Sequence, residues 1–254
     1  MTTATTDPAP TDTPGRTDTP GRTEPWHPAE LERRLGELGD ARYHARHPFN
    51  QRMHQGLLSP AEIRRWVLNR FHYQRNIPVK DALILAKFDD AQLRRSWIRR
   101  IRDHDGERAG EGGIERWLRL GEAVGLDRDL LLSGEGVLPG VRLAVGGYVG
   151  FCRERPLLEA VASSLTERFA PNLMRTRISA WETHYDWVEP VGLRYFQARV
   201  AQGTRDGEEA LGLVHAWCRT REDQQRVLDA FAFKCEVLWS LLDAVELAGS
   251  TDEH

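Results

Sequence analysis

Strongly polar residues stand at positions where four predicted helices should face the protein interior. Apolar stripes at helical spacing run through these positions, and the polar residues on them are Arg70 and Gln74, Arg100 and His104, Tyr195 and Arg199, and Lys234. Burying a charge without a partner costs several kcal/mol, so a stray one would be selected against. Several such side chains converging on one interior predict a cavity that binds an anionic ligand.

His104 is the residue of this set that could move a proton. It stands near the predicted end of a helix, just before Asp105 and Gly106, where its side chain could face a cavity. A histidine with a pKa near neutrality can accept and return a proton during a reaction. The periodicity alone fits a capping or core histidine equally well.

Four further candidates follow from their positions along the chain. Lys80 comes shortly after Pro78, where a kinked or broken helix could aim it inward. Tyr148 continues an apolar stripe in a glycine-rich helix, which permits close approach of backbone or ligand. Glu167 and Arg177 lie on successive predicted helices and could form an ion pair.

The composition excludes several classes of protein. The chain has 254 residues and a formal net charge of −3, from 35 basic and 38 acidic residues, so no overall charge recruits nucleic acid or membrane. It has no apolar run as long as a membrane-spanning helix and no signal-peptide pattern at its start. Cys152, Cys218 and Cys235 lack CxxC spacing and lie in apolar helical patterns, which predicts buried free thiols. We therefore expect a cytoplasmic protein.

The chain divides into a short tail and one large region. Residues 1–25 contain the hexapeptide TDTPGR twice in tandem and are predicted to be disordered. Residues 26–254 are predicted to form a single helical catalytic domain, an all-α, compact bundle of about seven or more helices around a central cavity. A Ser59 cap followed by Pro60 and Glu62 predicts one helix start. The predicted helices are 60–76, 79–88, 90–104, 113–124, 138–154, 157–169, 171–184, 190–202, 207–218 and 222–247, with a turn at 203–207.

The sequence gives little support to metal chemistry or to a covalent nucleophile. His104 and Glu167 are common metal ligands, but the arginines and lysines predicted beside them would repel a cation. Glu182 and His184 lack the Glu-x-x-His spacing of carboxylate-bridged di-iron bundles. Phosphate-binding glycine loops, nucleophile elbows and catalytic triads are also absent. We therefore expect no metal site.

A series of motifs keeps its order and spacing across two hundred residues. They are Arg42-Tyr43-His44, His47-Pro48-Phe49, Asn69-Arg70-Phe71-His72-Tyr73-Gln74, Ile77-Pro78-Val79-Lys80-Asp81, Ile101-Arg102-Asp103-His104-Asp105-Gly106, Ser164-Leu165-Thr166-Glu167-Arg168-Phe169-Ala170-Pro171, His184-Tyr185, Tyr195-Phe196-Gln197-Ala198-Arg199 and Phe233-Lys234-Cys235. In these motifs, from about Tyr43 to Leu247, the chain resembles the pyrroloquinoline-quinone synthase family, which completes the redox quinone PQQ.

The resemblance implies a haem-oxygenase-like, TenA-like helical bundle that forms a homodimer and works without a metal or an organic cofactor. The implied substrate is a small polycarboxylate, a bicyclic hydroquinoline with a pendant amino acid and three carboxylates. The implied reaction closes the third ring and removes eight electrons with O2 as co-substrate, releasing hydrogen peroxide and PQQ. It implies no nucleic acid and no membrane as partner.

The same resemblance implies roles for individual residues. His104, Tyr195 and Arg199 would form the reactive centre, with His104 as general base or acid and the other two holding dioxygen and the developing peroxide. The residues implied to bind the substrate or to line its pocket are Tyr43, His44, Arg70, Gln74, Lys80, Arg100, Tyr148, Glu167, Arg177 and Lys234.

One residue departs from the family pattern and leaves alternatives open. Met174 stands where the family usually has a further active-site histidine, and methionine cannot transfer a proton. The histidine could be auxiliary, His72 could compensate for it, or the reaction could be altered. A catalytically altered relative would bind a polycarboxylate without oxidising it.

Two other enzymes of the same fold are alternatives, a metal-dependent oxidase and a thiaminase-like enzyme. The thiaminase-like enzyme needs a cysteine at the cavity. Cys235 adjoins Lys234 in sequence but should point about a hundred degrees away from it around the helix.

Overall fold

The structure, a computed structural model, describes residues 24–251, with side chains as far as Gly249. This part of the chain is built from α-helices and short 3-10 helices and contains no strand, so the predicted all-α class is confirmed. The predicted disordered segment, residues 1–25, lies outside the described residues except for Glu24 and Pro25.

Twelve α-helices are present between residues 24 and 251. They are α1 (Pro28–Arg42), α2 (Pro48–His54), α3 (Pro60–Gln74), α4 (Ile77–Leu85), α5 (Ala91–Asp105), α6 (Gly112–Ala123), α7 (Arg128–Ser133), α8 (Pro139–Glu154), α9 (Leu157–Ala162), α10 (Ala170–His184), α11 (Arg194–Trp217) and α12 (Arg221–Thr251). Three 3-10 helices lie at His44–Arg46, Ser163–Arg168 and Pro190–Leu193.

Local sequence signals set the start of α3 and the junction between α3 and α4. Ser59 Oγ accepts the backbone N–H of Glu62 at 3.3 Å, and the Glu62 carboxylate accepts the backbone N–H of Ser59 at 2.8 Å, which is the predicted capping box. α3 ends at Gln74, and α4 is a separate helix with Pro78 in its first turn, where the missing N–H costs no hydrogen bond. The new direction of α4 buries Lys80.

An aromatic cluster lies at the centre of the core. Trp66 of α3 is 5.5 Å from Trp117 of α6 and 6.1 Å from Trp181 of α10, measured between ring centroids. Phe196 of α11 lies 5.5 Å from Trp181. Burying an aromatic side chain of this size contributes roughly 1.5–3 kcal/mol to folding. The cluster therefore fixes α3, α6, α10 and α11 together, and all of these except α6 carry predicted site residues.

The predicted turn at 203–207 is wrong, because α11 runs through it without interruption. Gly207 instead allows close packing against the preceding 3-10 helix. A Cβ atom at Gly207 would lie 2.9 Å from the backbone nitrogen of Arg168 and 3.0 Å from its Cα. Gly207 is therefore needed for the approach of two segments and not for a change of chain direction, whereas Gly203 makes only ordinary contacts with the same region.

Other differences from the predicted elements are smaller. α7 was not predicted, although Asp127 caps its start and Gly134 ends it in a left-handed conformation. The predicted helix 157–169 is α9 followed by the 3-10 helix Ser163–Arg168. The tighter winding of that 3-10 helix carries Glu167, a predicted site residue.

The close approach at Gly207 can be tested by substitution. We expect Gly207→Ala to lower the free energy of unfolding by about 1–3 kcal/mol, because the added methyl group meets the Arg168 backbone. Gly212→Ala is the matched control, since it lies in the same helix with nothing within 4 Å of its Cβ position. It should raise stability by up to about 1 kcal/mol through helix propensity. Urea unfolding followed by circular dichroism measures both, and equal effects would contradict the packing described.

Candidate active site

A small cavity lined mostly by buried residues lies between α3, α10, α11 and the segment around residue 43. Its volume is about 40 Å³, which is room for roughly three water molecules. Eight of the residues predicted for the site line it, namely Tyr43, His44, Arg70, Gln74, Glu167, Arg177, Tyr195 and Arg199. Sequence periodicity and resemblance therefore lead to one place in the fold.

Arg199 is held by two carboxylates within this site. Its Nη2 donates to Glu167 Oε2 at 2.5 Å, and its Nη1 lies 3.5 Å from Asp206 Oδ2. Burial disfavours the charge on Arg199, but Glu167, Tyr195 and Asp206 outweigh burial and raise the pKa of the guanidinium. Burial likewise opposes the charge of Glu167, yet Arg199 holds the pKa of that carboxyl below its usual value. Arg199 is therefore a permanently charged group in a fixed orientation.

The predicted ion pair between Glu167 and Arg177 does not form. Glu167 is taken by Arg199, and Arg177 donates from Nη2 to the side-chain oxygen of Asn50 at 3.0 Å. Arg177 Nε is buried without a hydrogen-bond partner, and its guanidinium lies over the ring of Trp66 at 4.9 Å. Burial, with Arg70 nearby, lowers the pKa of Arg177 to about 9.

Arg70 and Lys234 resemble Arg177 in having no carboxylate within 4.0 Å among the described residues. Arg70 Nη1 has no hydrogen-bond partner, and the guanidinium lies 4.1 Å from the centroid of the Tyr73 ring. Lys234 Nζ donates to Tyr73 Oη at 2.8 Å and lies 3.3 Å from the centroid of the Tyr148 ring. Burial, with Lys80 and Arg70 nearby, holds the pKa of Lys234 well below its ordinary value.

Lys80 and Arg100 lie behind the cavity rather than in its lining, and each has polar partners there. Lys80 Nζ donates to Asp81 Oδ1 at 2.7 Å and to Ser164 Oγ at 3.2 Å. Arg100 Nη2 donates to the backbone carbonyl of Asp206 at 2.5 Å. Tyr148 and Lys234, also predicted to bind substrate, form part of the same outer layer.

His104 also lies just outside the lining, next to the ring of Tyr195. A Cβ atom at Gly113 would be 3.4 Å from both rings, so the two side chains meet at this glycine. His104 Nδ1 is 3.0 Å from the Arg100 carbonyl, which makes Nδ1 the donor and leaves a lone pair on Nε2. Nε2 is buried without a hydrogen-bond partner. Burial and Arg199 lower the pKa of His104, so a neutral imidazole is available as a base.

Tyr195 is oriented by groups from two other helices. Its hydroxyl donates to Gln74 Oε1 at 2.7 Å, and its ring lies 4.8 Å from the Trp117 ring in an edge arrangement. Burial raises the pKa of Tyr195, so its hydroxyl is protonated at neutral pH. Its single proton points to Gln74, so Tyr195 can donate to an oxygen atom in the cavity only by giving up that bond.

Met174 lines the cavity, as expected of the position that departs from the family pattern. His72 does not line it. Partial burial, with Arg142 and Arg75 nearby, lowers the pKa of its imidazole. The geometry therefore gives no support to compensation by His72.

The three cysteines are free thiols, and none of them lines the cavity. Cys152 and Cys235 are buried, whereas Cys218 is only partly so. Within residues 24–251, no group of three or more His, Cys, Asp and Glu side chains is arranged to hold a metal ion. In the same range, no helix combines the length and apolar character needed to cross a membrane.

Several residues of the site were not predicted from sequence. Tyr73 lines the cavity and accepts from Lys234, and its position three residues after Arg70 is a signal that could have found it. Asp206 stands seven residues after Arg199 on one helix face, but the predicted turn at 203–207 hid that relation. No sequence pattern could have indicated Asn50 as a site residue, since its hydrogen bond to Arg177 joins residues 127 apart in the chain.

Most of the chain matches one known protein family. A model of the TENA/THI-4/PQQC family matches residues 32–244. The chain belongs to the TENA/THI-4/PQQC family. Among curated members it is 51% identical over 218 residues to the pyrroloquinoline-quinone synthase of Granulibacter bethesdensis, covering 86% of each chain. It is 52% identical over 220 residues to the protein of that name in Pseudomonas aeruginosa, covering 87% of this chain and 88% of the other. The resemblance inferred from motifs is thereby confirmed.

Solved structures in this family's fold agree with the helical bundle. A domain with a heme oxygenase-like fold from Shewanella denitrificans superposes with a TM-score of 0.74 at 16% identity, over 90% of this chain and 95% of the other. A TenA homolog from Pseudomonas syringae gives 0.71 at 14% identity, over 86% and 92%. At such low identity the likeness concerns the fold alone, and it confirms the haem-oxygenase-like architecture.

The buried histidines predict how stability depends on pH. Burial holds the pKa of His44 and His104 below the ordinary value of 6.5, so the unfolded chain binds protons that the folded protein does not. Stability should therefore be full above pH 6.5 and fall as the pH drops below it.

The urea midpoint between pH 7.5 and 5 measures this dependence. His44→Gln should flatten it, whereas the exposed His27→Asn should leave the slope unchanged. An unaltered slope in His44→Gln would show that His44 is not a neutral buried group.

Proposed function

We propose that this protein is a pyrroloquinoline-quinone synthase. It would close the third ring of a bicyclic hydroquinoline that carries three carboxylates and remove eight electrons from it. O2 would accept the electrons, with release of hydrogen peroxide and PQQ. Relatives that bear this name and are 51% and 52% identical over nearly the whole folded region support the assignment.

The observation that carries the proposal is the number of basic side chains around the cavity that lack a carboxylate partner. Arg70, Arg177 and Lys234 have no carboxylate partner among the described residues, and the proposed substrate supplies three carboxylates. Arginine suits a carboxylate because its guanidinium can donate two parallel hydrogen bonds. A tricarboxylate would neutralise these cations, which otherwise stay buried at a cost.

The reactive steps fall to His104, Tyr195 and Arg199. His104 Nε2, with its free lone pair, would take a proton from a carbon of the substrate and leave it electron-rich. Electrons would pass from this deprotonated substrate to O2 directly, so the proposal requires neither a metal nor an organic cofactor. The fixed guanidinium of Arg199 would stabilise the negative charge that develops on the oxygen atoms, and the Tyr195 hydroxyl would join it by turning its proton from Gln74 to the oxygen.

The proposal has two further parts that the resemblance implies, action in the cytoplasm and a homodimeric assembly. It also requires the cavity to enlarge, since a volume of about 40 Å³ is too small for a bicyclic substrate.

Met174 supports a second candidate function, a relative that binds a polycarboxylate without oxidising it. The side chain lines the cavity and cannot transfer protons. Anaerobic mixing of the protein with the precursor, followed by admission of oxygen, separates the two functions. PQQ and peroxide on aeration support the synthase, whereas binding without either product supports the second function. A thiaminase-like enzyme has less support, because the cysteines lie away from the cavity.

His104→Asn tests the proposed base. The asparagine amide can still donate to the Arg100 carbonyl, but the group at Nε2 is lost. We expect oxygen consumption to fall by about 10²-fold or more, with precursor affinity within about tenfold, or 1.4 kcal/mol. His72→Asn, from a position outside the cavity, is the control and should retain turnover. Loss of turnover in the control but not in His104→Asn would refute the assignment.

Lys234→Met tests whether Lys234 is kept for binding rather than for stability. Removing a buried cation without a carboxylate partner should leave the free energy of unfolding unchanged or raise it by about 1 kcal/mol. Precursor affinity, measured by anaerobic calorimetry, should fall at least about tenfold. Lys80→Met is the matched control and should destabilise by about 3–5 kcal/mol, because Asp81 would stay buried and unpaired. Equal destabilisation by both variants would contradict the difference proposed between the two lysines.

A further inference from the structure

A second and much larger cavity opens on the surface beside the candidate active site. It has a volume of about 550 Å³ and lies between the end of α5, the loop 106–111, the start of α6 and the start of α11. Four arginines line it, Arg102, Arg116, Arg119 and Arg194. We call this cavity the arginine vestibule.

Three of these guanidinium groups are free to bind a ligand. Arg102, Arg116 and Arg194 make no hydrogen bond or ion pair with any other described residue, whereas Arg119 pairs with Glu115. Arg116 is half-buried, so extension of the side chain into solvent does not explain why its guanidinium has no partner.

Acidic residues in the vestibule cancel these charges only in part, since two free glutamates stand against three free arginines. Asp103 is taken by Arg205, which lies outside the lining. Glu107 and Glu111 belong to the exposed loop at the edge. The vestibule therefore keeps an excess of unpaired positive charge.

Residues that line the vestibule are in direct contact with the reactive centre at two points. Gly112 lines the vestibule, and a Cβ atom there would lie 2.5 Å from the backbone carbonyl oxygen of His104. The next residue, Gly113, touches the rings of His104 and Tyr195. On the α11 side, Gln202 lines the vestibule and its side-chain oxygen is 3.5 Å from Arg199 Nη1.

The two cavities differ greatly in size. The inner cavity has a volume of about 40 Å³, whereas the vestibule is more than ten times larger and could hold a whole bicyclic molecule. A polycarboxylate approaching from solvent thus meets free guanidinium groups before it reaches the buried ones.

We propose that the arginine vestibule is a relay site, where carboxylates of the polycarboxylate ligand bind on the way into and out of the inner cavity. The identity of that ligand rests on the proposed function. A relay site lowers the barrier to entry and exit alike, because it lies on the path between solvent and the final complex. It leaves the affinity of the final complex unchanged.

Stopped-flow binding of the anaerobic precursor tests the relay. The double variant Arg116→Ala/Arg194→Ala should lower both the association and the dissociation rate constants by about threefold to tenfold. The dissociation constant should stay within about twofold, and the dependence of the association rate on salt should weaken. Arg95→Ala/Arg153→Ala removes the same charge from exposed positions outside the vestibule and should leave the rates unchanged.

Other outcomes overturn the relay. Unchanged rates in the vestibule variant would show that the ligand does not pass this way. Faster dissociation with weaker affinity would place these arginines in the final complex. Equal slowing in the control would show a general effect of net charge.

Two outcomes with the unmodified protein distinguish failure of the proposed function from failure of the relay. Binding by the unmodified protein without PQQ on aeration overturns the proposed function alone. A failure to bind the precursor at all overturns both.

Discussion

The interior of this protein holds more positive charge than its own carboxylates neutralise, and much of the surrounding structure follows from that imbalance. Lys80, Arg100 and Arg199 have carboxylate partners in Asp81, Glu209 and Glu167. Arg70, Arg177 and Lys234 have none among the described residues. An unpaired buried charge opposes folding. The fold must therefore gain stability elsewhere, and the cluster of tryptophan and phenylalanine rings beneath the cavity is the largest visible source of it.

Aromatic rings support the unpaired cations without neutralising them. Arg70 lies over Tyr73, Arg177 over Trp66, and Lys234 over Tyr148. A cation over a ring gains roughly 0.5–2 kcal/mol, which offsets part of the desolvation cost while leaving N–H donors free. A carboxylate in the same place would stabilise the fold more but would compete with an anionic ligand. Because these side chains lie against rings and not against carboxylates, their N–H donors stay available to an anionic ligand.

Helical periodicity predicted which side chains are buried but not which partners they have. Arg70, Gln74, Arg100, His104, Tyr195, Arg199 and Lys234 are all buried, as their positions on apolar stripes indicate. Periodicity assigns a residue to the inside or outside of one helix. It cannot tell that Arg100 bonds to the Asp206 backbone while Arg70 lines the cavity, because that depends on how distant helices pack. Gly203 and Gly207 led to the wrong prediction of a turn for a related reason. Glycine occurs both in turns and where two segments pack closely, and the sequence does not tell the two apart.

The uninterrupted course of α11 explains how the groups proposed to react are held in register. The helix carries Tyr195 and Arg199, and two turns later Asp206. Asp206 accepts from Arg100 through its backbone and contacts Arg199 through its carboxylate, while the Arg100 carbonyl orients His104. A break at Gly203 would uncouple these contacts, whereas close packing at Gly207 brings Arg168, and with it Glu167, against the helix. The backbone that the glycines permit therefore sets the distance between the proposed base and the proposed oxygen-binding arginine.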